Sequence, residues 1–429
     1  MRHDWAALCA YQAGGNDGGV GCQLRRCRCY SRCLAAIASA GAVIILAGCS
    51  SGVRGLPHRA AAALSAGCSA SVAAGRLLAA QRPVTMLVPG SPTAVVGTAD
   101  GRWAFASAST GTGGEIAVIA LGREGPRLVR TVELPGSLPD AFGMAMTHDG
   151  MLLVVAGYTA TAVLSVRALE DGASDPVAGT LDDAGAGQFE VAVSGDDRYV
   201  FVTDETTGGL SVFNLALALR RGFSARGVAA GIVPLASGAV GVAMSPGGGQ
   251  LYVTTYGAYG PHGQLWVIDT ARAESGADGT AVLAHVPAGC QPVRVAVSPD
   301  GSTVWVTALQ SNALLGFSAA DLRDDPSRAL RAVVRVGSEP VGLLVVDDGR
   351  LALVGNSNRG LVPGTGSDAS QTVSVVNTAA ALAHRPAVVG VVPAGLFPRD
   401  LTFDQATGQV LLGNFNSGTI EEFPVPAAP

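Results

Sequence analysis

A repeated pattern of two short strands joined by a tight turn dominates this chain of 429 residues. The segment VAVSPDGSTVWVT at 295–307 alternates apolar and small residues around Pro-Asp-Gly, which predicts a β-hairpin. Related stretches begin at residues 95, 144, 191, 242, 343 and 401, so that successive copies start 49, 47, 51, 53, 48 and 58 residues apart. A lone hairpin is barely stable in water, so we expect the copies to pack against one another.

Each copy continues with a third and a fourth β-like run, such as EIAVIAL and RLVRTVEL in the first copy. Four strands per repeat at this period predict an all-β fold, a seven-bladed β-propeller of antiparallel four-stranded blades over residues 83–425. The seventh copy has only three strands before the short tail 426–429. We therefore predict that an N-terminal strand, 83–89, pairs with residues 418–425 and closes the ring, because an open last blade would expose its edge.

The second strands of several copies carry a family resemblance. YVFVTD, LYVTT and VWVTA, together with the SPDG turn, resemble the YVTN-type repeat propellers, a group that also contains lactonase-like propellers. The resemblance covers roughly residues 83–425 and implies the seven-bladed fold. The repeated residues are structural ones, and propellers host unrelated functions, so the resemblance leaves the activity open.

The N-terminus indicates export. An apolar run at 34–49 follows Arg25, Arg26, Arg28 and Arg32 and ends in LAGC, which resembles a bacterial lipobox. This predicts a lipoprotein signal peptide over 1–48, a lipid on Cys49, and a flexible Ala/Ser/Gly-rich tether over 49–82, briefly helical around 71–80. An uncut membrane anchor is the alternative. Either reading places the propeller outside the cytoplasm, held at the cell membrane.

Six of the eight cysteines lie in the first 49 residues. The cysteine spacings in the run CQLRRCRCYSRC do not match a zinc motif, and no second group of ligands follows to complete one. An over-long gene start, with translation beginning near Val20, explains this run at least as well as any function does. Cys68 and Cys290 remain beside Cys49 in the mature chain. They are candidates for a disulfide, because such bonds persist outside the cell.

Charge argues against a nucleic-acid partner. The chain contains no lysine and has a formal charge of −5. Residues 1–48 hold five arginines and two aspartates, so removing them leaves a mature chain near −8. An acidic protein with few basic clusters is a poor nucleic-acid binder.

The candidate site lies at the channel mouth, where the loops between blades meet the loops that follow each second strand. Aligning the copies by their turns gives one equivalent position per blade: Ala94, Gly143, Glu190, Gly241, Arg294, Gly342 and Asp400. We predict that Arg294 lies between Glu190 and Asp400 in the channel. The trio is either a structural ion-pair set that plugs the channel or a site for a polar small molecule.

Polar residues of the mouth loops are further ligand-binding candidates, although Gly/Asn loops commonly carry such residues for turn formation alone. They are Asp204, Glu205, Tyr256, Tyr259, His262, Gln310, Asn312, Asn356, Asn358, Arg359, Asn414 and Asn416. No cofactor is expected. Ca²⁺ at the mouth is the one candidate, since it takes oxygen ligands.

Two functions remain open. The first is a membrane-tethered binding or scaffold module that takes a polar small molecule or another envelope protein at the mouth. The alternative is a lactonase-like hydrolase of a lactone or sugar acid. Lactonase-like propellers use acidic, arginine and histidine groups at this mouth, so the resemblance implies Glu190, Arg294, Asp400 and His262 as catalytic candidates.

Overall fold

Seven antiparallel four-stranded sheets follow one another along the chain. The computed structural model describes residues 65–427 except 69, 74, 79–82, 137, 183–186, 258–261 and 359–370. The expected signal peptide, Cys49, Tyr259 and Arg359 lie outside the described residues. Among those described, no helix is long and apolar enough to cross a membrane.

The first three blades are built by consecutive strands. Blade one contains β2 (Ser91–Gly97), β3 (Trp103–Ser109), β4 (Gly114–Ala120) and β5 (Arg127–Glu133). Blade two contains β6 (Met144–Met146), β7 (Leu152–Ala156), β8 (Thr161–Ser165) and β9 (Val177–Leu181). Blade three contains β10 (Gln188–Val193), β11 (Tyr199–Asp204), β12 (Gly209–Asn214) and β13 (Ala229–Pro234).

The next three blades repeat the order. Blade four contains β14 (Ala239–Met244), β15 (Gln250–Thr255), β16 (His262–Asp269) and β17 (Val282–Cys290). Blade five contains β18 (Pro292–Val297), β19 (Thr303–Ala308), β20 (Ala313–Ser318) and β21 (Leu330–Arg335). Blade six contains β22 (Pro340–Val346), β23 (Leu351–Asn356), β24 (Thr372–Asn377) and β25 (Val388–Pro393).

Blade seven confirms the predicted closure. Its strands in the chain's last repeat are β26 (Pro398–Asp404), β27 (Gln409–Asn414) and β28 (Thr419–Pro424). The fourth is β1 (Val84–Leu87), which runs antiparallel to β28 with Val84 opposite Glu422 and Leu87 opposite Thr419. The two ends of the propeller therefore share one sheet, and the seven-bladed ring is closed.

Short helices, which the sequence did not predict, follow the third strands of blades two to six. They are α1 (Val166–Asp171), α2 (Leu215–Arg221), α3 (Thr270–Gly276), α4 (Ala319–Asp324) and α5 (Thr378–Leu382). Each begins after a Ser, Asn or Asp whose side chain accepts a hydrogen bond from the first turn, as a helix N-cap does. Single 3-10 turns occur at Gly279–Ala281, Leu309–Ser311 and Pro326–Arg328.

The core lies between neighbouring sheets. Phe105 of blade one is fully buried in one cluster with Leu153 of blade two, and Trp305 of blade five packs with Val354 of blade six. Strands buried on both faces need apolar residues at successive positions, which explains runs such as VWV and LLVV in the repeats. The hairpin that opens each blade is thus stabilised by the next copy of itself.

The described residues between 65 and 78, called the strap here, lie on the ring rather than forming a helix. The strap contacts the ends of the outer strands of blades five and six: Ala73 N–H donates to the Val336 carbonyl at 2.8 Å, and Leu77 forms a parallel bridge to Val391. The expectation of a short helix around 71–80 is wrong for these residues, because their backbone groups bond to the blades instead.

Candidate functional site

A one-residue irregularity in the inner strands shapes the channel. The pairing register with the second strand shifts by one residue near the start of each inner strand that carries a charged residue. The shift lies between Gln188 and Val191 in β10, between Pro292 and Val295 in β18, and between Pro398 and Asp400 in β26. Strands β2, β14 and β22 shift at the matching place. A bulge of this kind bends the strand and redirects a side chain. The aligned position that holds the three charged residues lies at or inside this bulge.

A hydroxyl on the second strand fixes the bulge in several blades. In blade five, Thr307 Oγ1 accepts the Arg294 N–H at 3.1 Å and donates to the Val341 carbonyl of blade six at 3.0 Å. Thr203 and Thr254 make the same pair of bonds in blades three and four. The threonine of the YVT pattern therefore links neighbouring blades by a hydrogen bond, which explains its recurrence.

The three charged residues meet in the channel, as the sequence predicted. The Arg294 guanidinium contacts the Glu190 carboxylate through Nη1, and its Nε lies 4.0 Å from Asp400 Oδ1. The other oxygen of Asp400 accepts the backbone N–H of Val95 at 2.9 Å. Arg294 is only 7% exposed. A buried guanidinium is tolerated here because two carboxylates neutralise it.

Burial dominates the acid–base behaviour of the two carboxyl groups. Removal from water raises the pKa of Glu190 from 4.5 to about 7, against the opposing effect of Arg294 and with a further increase from the Asp400 charge. Burial likewise raises the pKa of Asp400, opposed by Arg294 and by the Val95 N–H. Glu190 therefore exchanges its proton near neutral pH.

Glycine at the aligned position of blade two makes room for Glu190. A Cβ added to Gly143 would lie 2.6 Å from Glu190 Oε1 and 2.7 Å from the Phe189 carbonyl oxygen. Both separations are shorter than real Cβ contacts. The small residue beside Glu190 in the channel thus has a steric cause.

A second arginine, which sequence reasoning missed, lies next to this network. Arg399 is 5% exposed, and its guanidinium carbon lies 5.4, 5.8 and 5.0 Å from the ring centres of Phe189, Phe397 and Phe415. These distances fit cation–π contacts. The available signal was the position just before the aligned one, which in blades two to six holds Phe or Val and in blade seven holds Arg399.

Two of the predicted mouth residues lie inside their blades instead. Asn356 and Asn414 are fully buried. Asn356 Nδ2 donates to Thr372 and Ser374 hydroxyls at 2.9 Å, and Asn414 Nδ2 donates to Thr419 Oγ1 at 3.1 Å. Their placement corrects the expectation that they line an open ligand site, because each amide bonds to the adjacent strand of its own sheet.

Other predicted loop residues do lie at the mouth. The Tyr256 hydroxyl donates a hydrogen bond to Glu205 Oε1 at 2.5 Å. Asn416 is exposed, and its backbone N–H donates to the Leu396 carbonyl. Asn358 is half-buried, and its backbone N–H donates to the Ser338 carbonyl at 3.2 Å.

Asn312 and Asp204 instead make structural contacts. Asn312 Nδ2 donates to the Ala70 carbonyl of the strap at 2.6 Å, and buried Asp204 accepts from Ser211 Oγ at 2.6 Å.

Cys68 and Cys290 are joined by a disulfide that links the strap to blade four, with their Cα atoms 5.4 Å apart. His262 lies beside this bond, with Nδ1 3.8 Å from Cys290 Sγ. His262 begins β16 and pairs with Cys290 on the outermost strand, whereas the charged trio lies on inner strands. The structure therefore does not bring His262 together with Glu190, Arg294 and Asp400, which removes it from the expected lactonase-like set.

A closed ring of seven four-stranded blades around a charged channel defines the class: this is a seven-bladed β-propeller. The chain is similar in structure to a chain of Kuenenia stuttgartiensis hydrazine synthase, with a TM-score of 0.62 and 14% sequence identity. The match covers 80% of this chain and 98% of the other, and at this identity it shows the fold alone. No family model and no curated protein matches the sequence.

Proposed function

We propose that the protein is an extracytoplasmic, lipid-anchored β-propeller that serves as a binding or scaffold module, with the channel mouth as its recognition surface. The partner is a polar small molecule or another envelope protein. One observation carries the proposal: the charged channel groups, Glu190, Arg294 and Asp400, are paired with one another across blades three, five and seven. Because these charges neutralise one another, we assign them a structural role in the ring and assign recognition to the loops at the mouth.

Two features support the extracytoplasmic location. The apolar run at 34–49 ends in the lipobox-like LAGC, and the basic residues before it are typical of an export signal. The Cys68–Cys290 disulfide is a bond that forms and persists in oxidising compartments. Both agree with a lipid on Cys49 and a ring tethered outside the membrane.

Two aromatic pairs pack beneath the loops of the mouth. Phe142 stacks on Phe189 with ring centres 5.4 Å apart, and Phe397 packs on Phe415 at 5.3 Å. Both pairs lie at the mouth end of the inner strands. Phe142, Phe189 and Phe397 are buried and Phe415 is half-buried, so these rings hold the mouth loops in place rather than lining an open ligand site.

A lactonase-like hydrolase is the second candidate, and the pKa of Glu190 favours it. An acid or base works best when its pKa lies near the operating pH, and burial brings that of Glu190 to about 7. Against it, both carboxylates of the site face Arg294 rather than an open chamber.

The anchor is tested by fractionating cells that express wild type or Cys49→Ala. We expect the wild type in the membrane fraction, and the variant in the medium or retained as a heavier precursor. Unchanged fractionation together with an unchanged mass would contradict lipidation at Cys49.

The recognition surface is tested by photo-crosslinking in whole cells. A photoreactive residue replaces Asn416 at the mouth or, as the matched control, exposed Asp196 in the turn at the other end of blade three. We expect a discrete adduct from position 416 and none from 196. Equal labelling at both positions would count against the mouth, and repeating the experiment with a chelator tests whether Ca²⁺ contributes.

The hydrolase alternative is tested by measuring hydrolysis of aldonolactones by wild type and Glu190→Ala. The binding proposal predicts equal rates, at the level of the uncatalysed reaction. Turnover by the wild type that Glu190→Ala abolishes would establish the hydrolase instead.

A further inference from the structure

A cluster of three potential metal ligands lies at the edge of blade four, away from the channel. The sulfur atoms of Cys68 and Cys290 and a ring nitrogen of His262 all lie within 4.8 Å of one another. They come from three separate segments, namely the strap, the end of β17 and the start of β16. Two cysteines and one histidine are a donor set typical of zinc sites.

The histidine is already at a suitable distance. With bonds of about 2.3 Å to sulfur and about 2.05 Å to nitrogen, a tetrahedral zinc ion holds its N and S ligands roughly 3.6 Å apart. His262 Nδ1 lies 3.8 Å from Cys290 Sγ. The main chain fixes this pair, because His262 is opposite Cys290 in the β16–β17 ladder and Cys290 N–H donates to Ser311 Oγ at 2.9 Å.

The third ligand is carried by the strap and not by a blade. Cys68 lies on the strap, outside any strand. Separating its sulfur from that of Cys290 to the roughly 3.8 Å edge of a tetrahedral site requires a shift of the strap and none of the blade. The hydrogen bond from Asn312 to the Ala70 carbonyl keeps the strap near the site.

One side of the cluster faces solvent. Cys290 is fully buried, whereas Cys68 is half-buried and His262 is exposed. A metal ion held by these three side chains would therefore keep a fourth position for water, the arrangement of three protein ligands plus water found in open zinc sites.

We propose that Cys68, Cys290 and His262 form a redox-gated site for a thiophilic divalent cation such as Zn²⁺, a function beyond recognition at the mouth. An external dithiol reduces the disulfide by thiol–disulfide exchange, giving two cysteine thiols and the oxidised dithiol. Zn²⁺ then binds both sulfurs as thiolates and the neutral imidazole, and two protons pass to solvent. The reverse exchange with the oxidised dithiol rejoins the two sulfurs, returns that compound to its dithiol form with two protons from solvent, and releases the ion.

Zinc titration of the full chain tests the proposal, with a chromophoric chelator as competitor. Wild type and Cys68→Ser/Cys290→Ser are compared after reduction with a non-thiol phosphine. The double variant accounts for zinc held by the other six cysteines. We expect reduced wild type to bind one equivalent more than the reduced variant, and the disulfide form to lack that equivalent. Equal stoichiometry for the two reduced proteins would overturn the proposal.

A second variant keeps both cysteines, so its disulfide and fold are retained. His262→Gln in the reduced state should bind this zinc at least about tenfold more weakly, since even outer-shell partners of a metal site contribute that much. His285→Gln, which alters an exposed histidine of the same blade, is the matched control and should bind like wild type. Equal affinity of the two histidine variants would exclude His262 as a ligand and refute the three-residue site.

Discussion

The Asp400 carboxylate of blade seven accepts a hydrogen bond from the backbone N–H of Val95 in blade one, with 2.9 Å between oxygen and nitrogen. This bond lies on the inner side of the seam where the ring closes. On the outer side of blade seven, β1 completes the sheet by pairing with β28. The first and last repeats are thus joined twice, once by a strand and once by a channel side chain that also faces Arg294.

Removing the Asp400 side chain should weaken this seam. Asp400→Ala leaves the Val95 N–H without its acceptor, and an unsatisfied buried donor costs about 1–3 kcal/mol. Asp400→Asn is the matched control, because its amide oxygen can still accept that hydrogen bond. We expect the alanine variant to unfold at a lower urea concentration than the asparagine variant. Equal midpoints would mean that the Val95 bond contributes nothing to stability.

Glu190 should make stability depend on pH in a defined direction. Its pKa is raised to about 7 in the folded protein, so between about pH 4.5 and 7 the folded state binds more protons than the unfolded state. The contribution of Glu190 to the free energy of unfolding therefore decreases as pH rises through this window, by up to about 3 kcal/mol, and is constant outside it.

The measurement is urea denaturation of wild type and Glu190→Gln between pH 4 and 8. The difference between the two proteins isolates Glu190 from the other buried acids. The wild type should lose stability relative to the glutamine variant as pH rises. A difference that is flat or grows with pH would show that Arg294 keeps Glu190 ionised throughout.

Gly143 should tolerate no side chain. Gly143→Ala places a methyl group against the Glu190 carboxylate and the Phe189 carbonyl, and overpacking of this kind costs about 1–3 kcal/mol. Gly195→Ala is the control, because a Cβ there meets nothing within 4 Å. Thermal unfolding should separate the two variants. A Gly143→Ala protein as stable as Gly195→Ala would argue that Glu190 does not occupy this space.

The disulfide should hold the strap on the ring. Cys68→Ser/Cys290→Ser removes a link between residues 222 apart, and losing such a bond costs about 2–5 kcal/mol. We expect a lower unfolding midpoint and protease cleavage between residues 65 and 78, measured in the absence of metal ions. Equal protection of the strap in both proteins would show that its hydrogen bonds to Val336 and Val391 suffice.

The fold and the charged trio could be predicted from the sequence because both repeat. Several turns are defined locally: Ser298 Oγ donates to Asp300 at 2.5 Å, and the same pairing recurs between Thr98 and Asp100. Once the turns are aligned, the position of Arg294 follows from counting. Strand pairing then brings the aligned residues to the channel without further information.

The rest depends on contacts between blades or with the strap. Asn356 and Asn416 both occur in segments rich in Gly and Asn. Asn356 is buried and bonds to a threonine and a serine on the adjacent strand, whereas Asn416 is exposed. Arg399 acquires one of its three aromatic neighbours, Phe189, from blade three. The sequence of the strap carries no periodic pattern. Its path could not be predicted because single hydrogen bonds to outer strands determine it.

The most direct test of the paired network in the channel is urea denaturation of Arg294→Ala and of a triple variant, Arg294→Ala/Glu190→Gln/Asp400→Asn. Removing Arg294 alone leaves two carboxylates without their shared cation, whereas the triple variant has no charge at these positions. We predict that Arg294→Ala is less stable than wild type by about 3–5 kcal/mol at pH 8, above the pKa of Glu190, and that the triple variant regains much of this loss. An Arg294→Ala protein as stable as wild type would contradict the account.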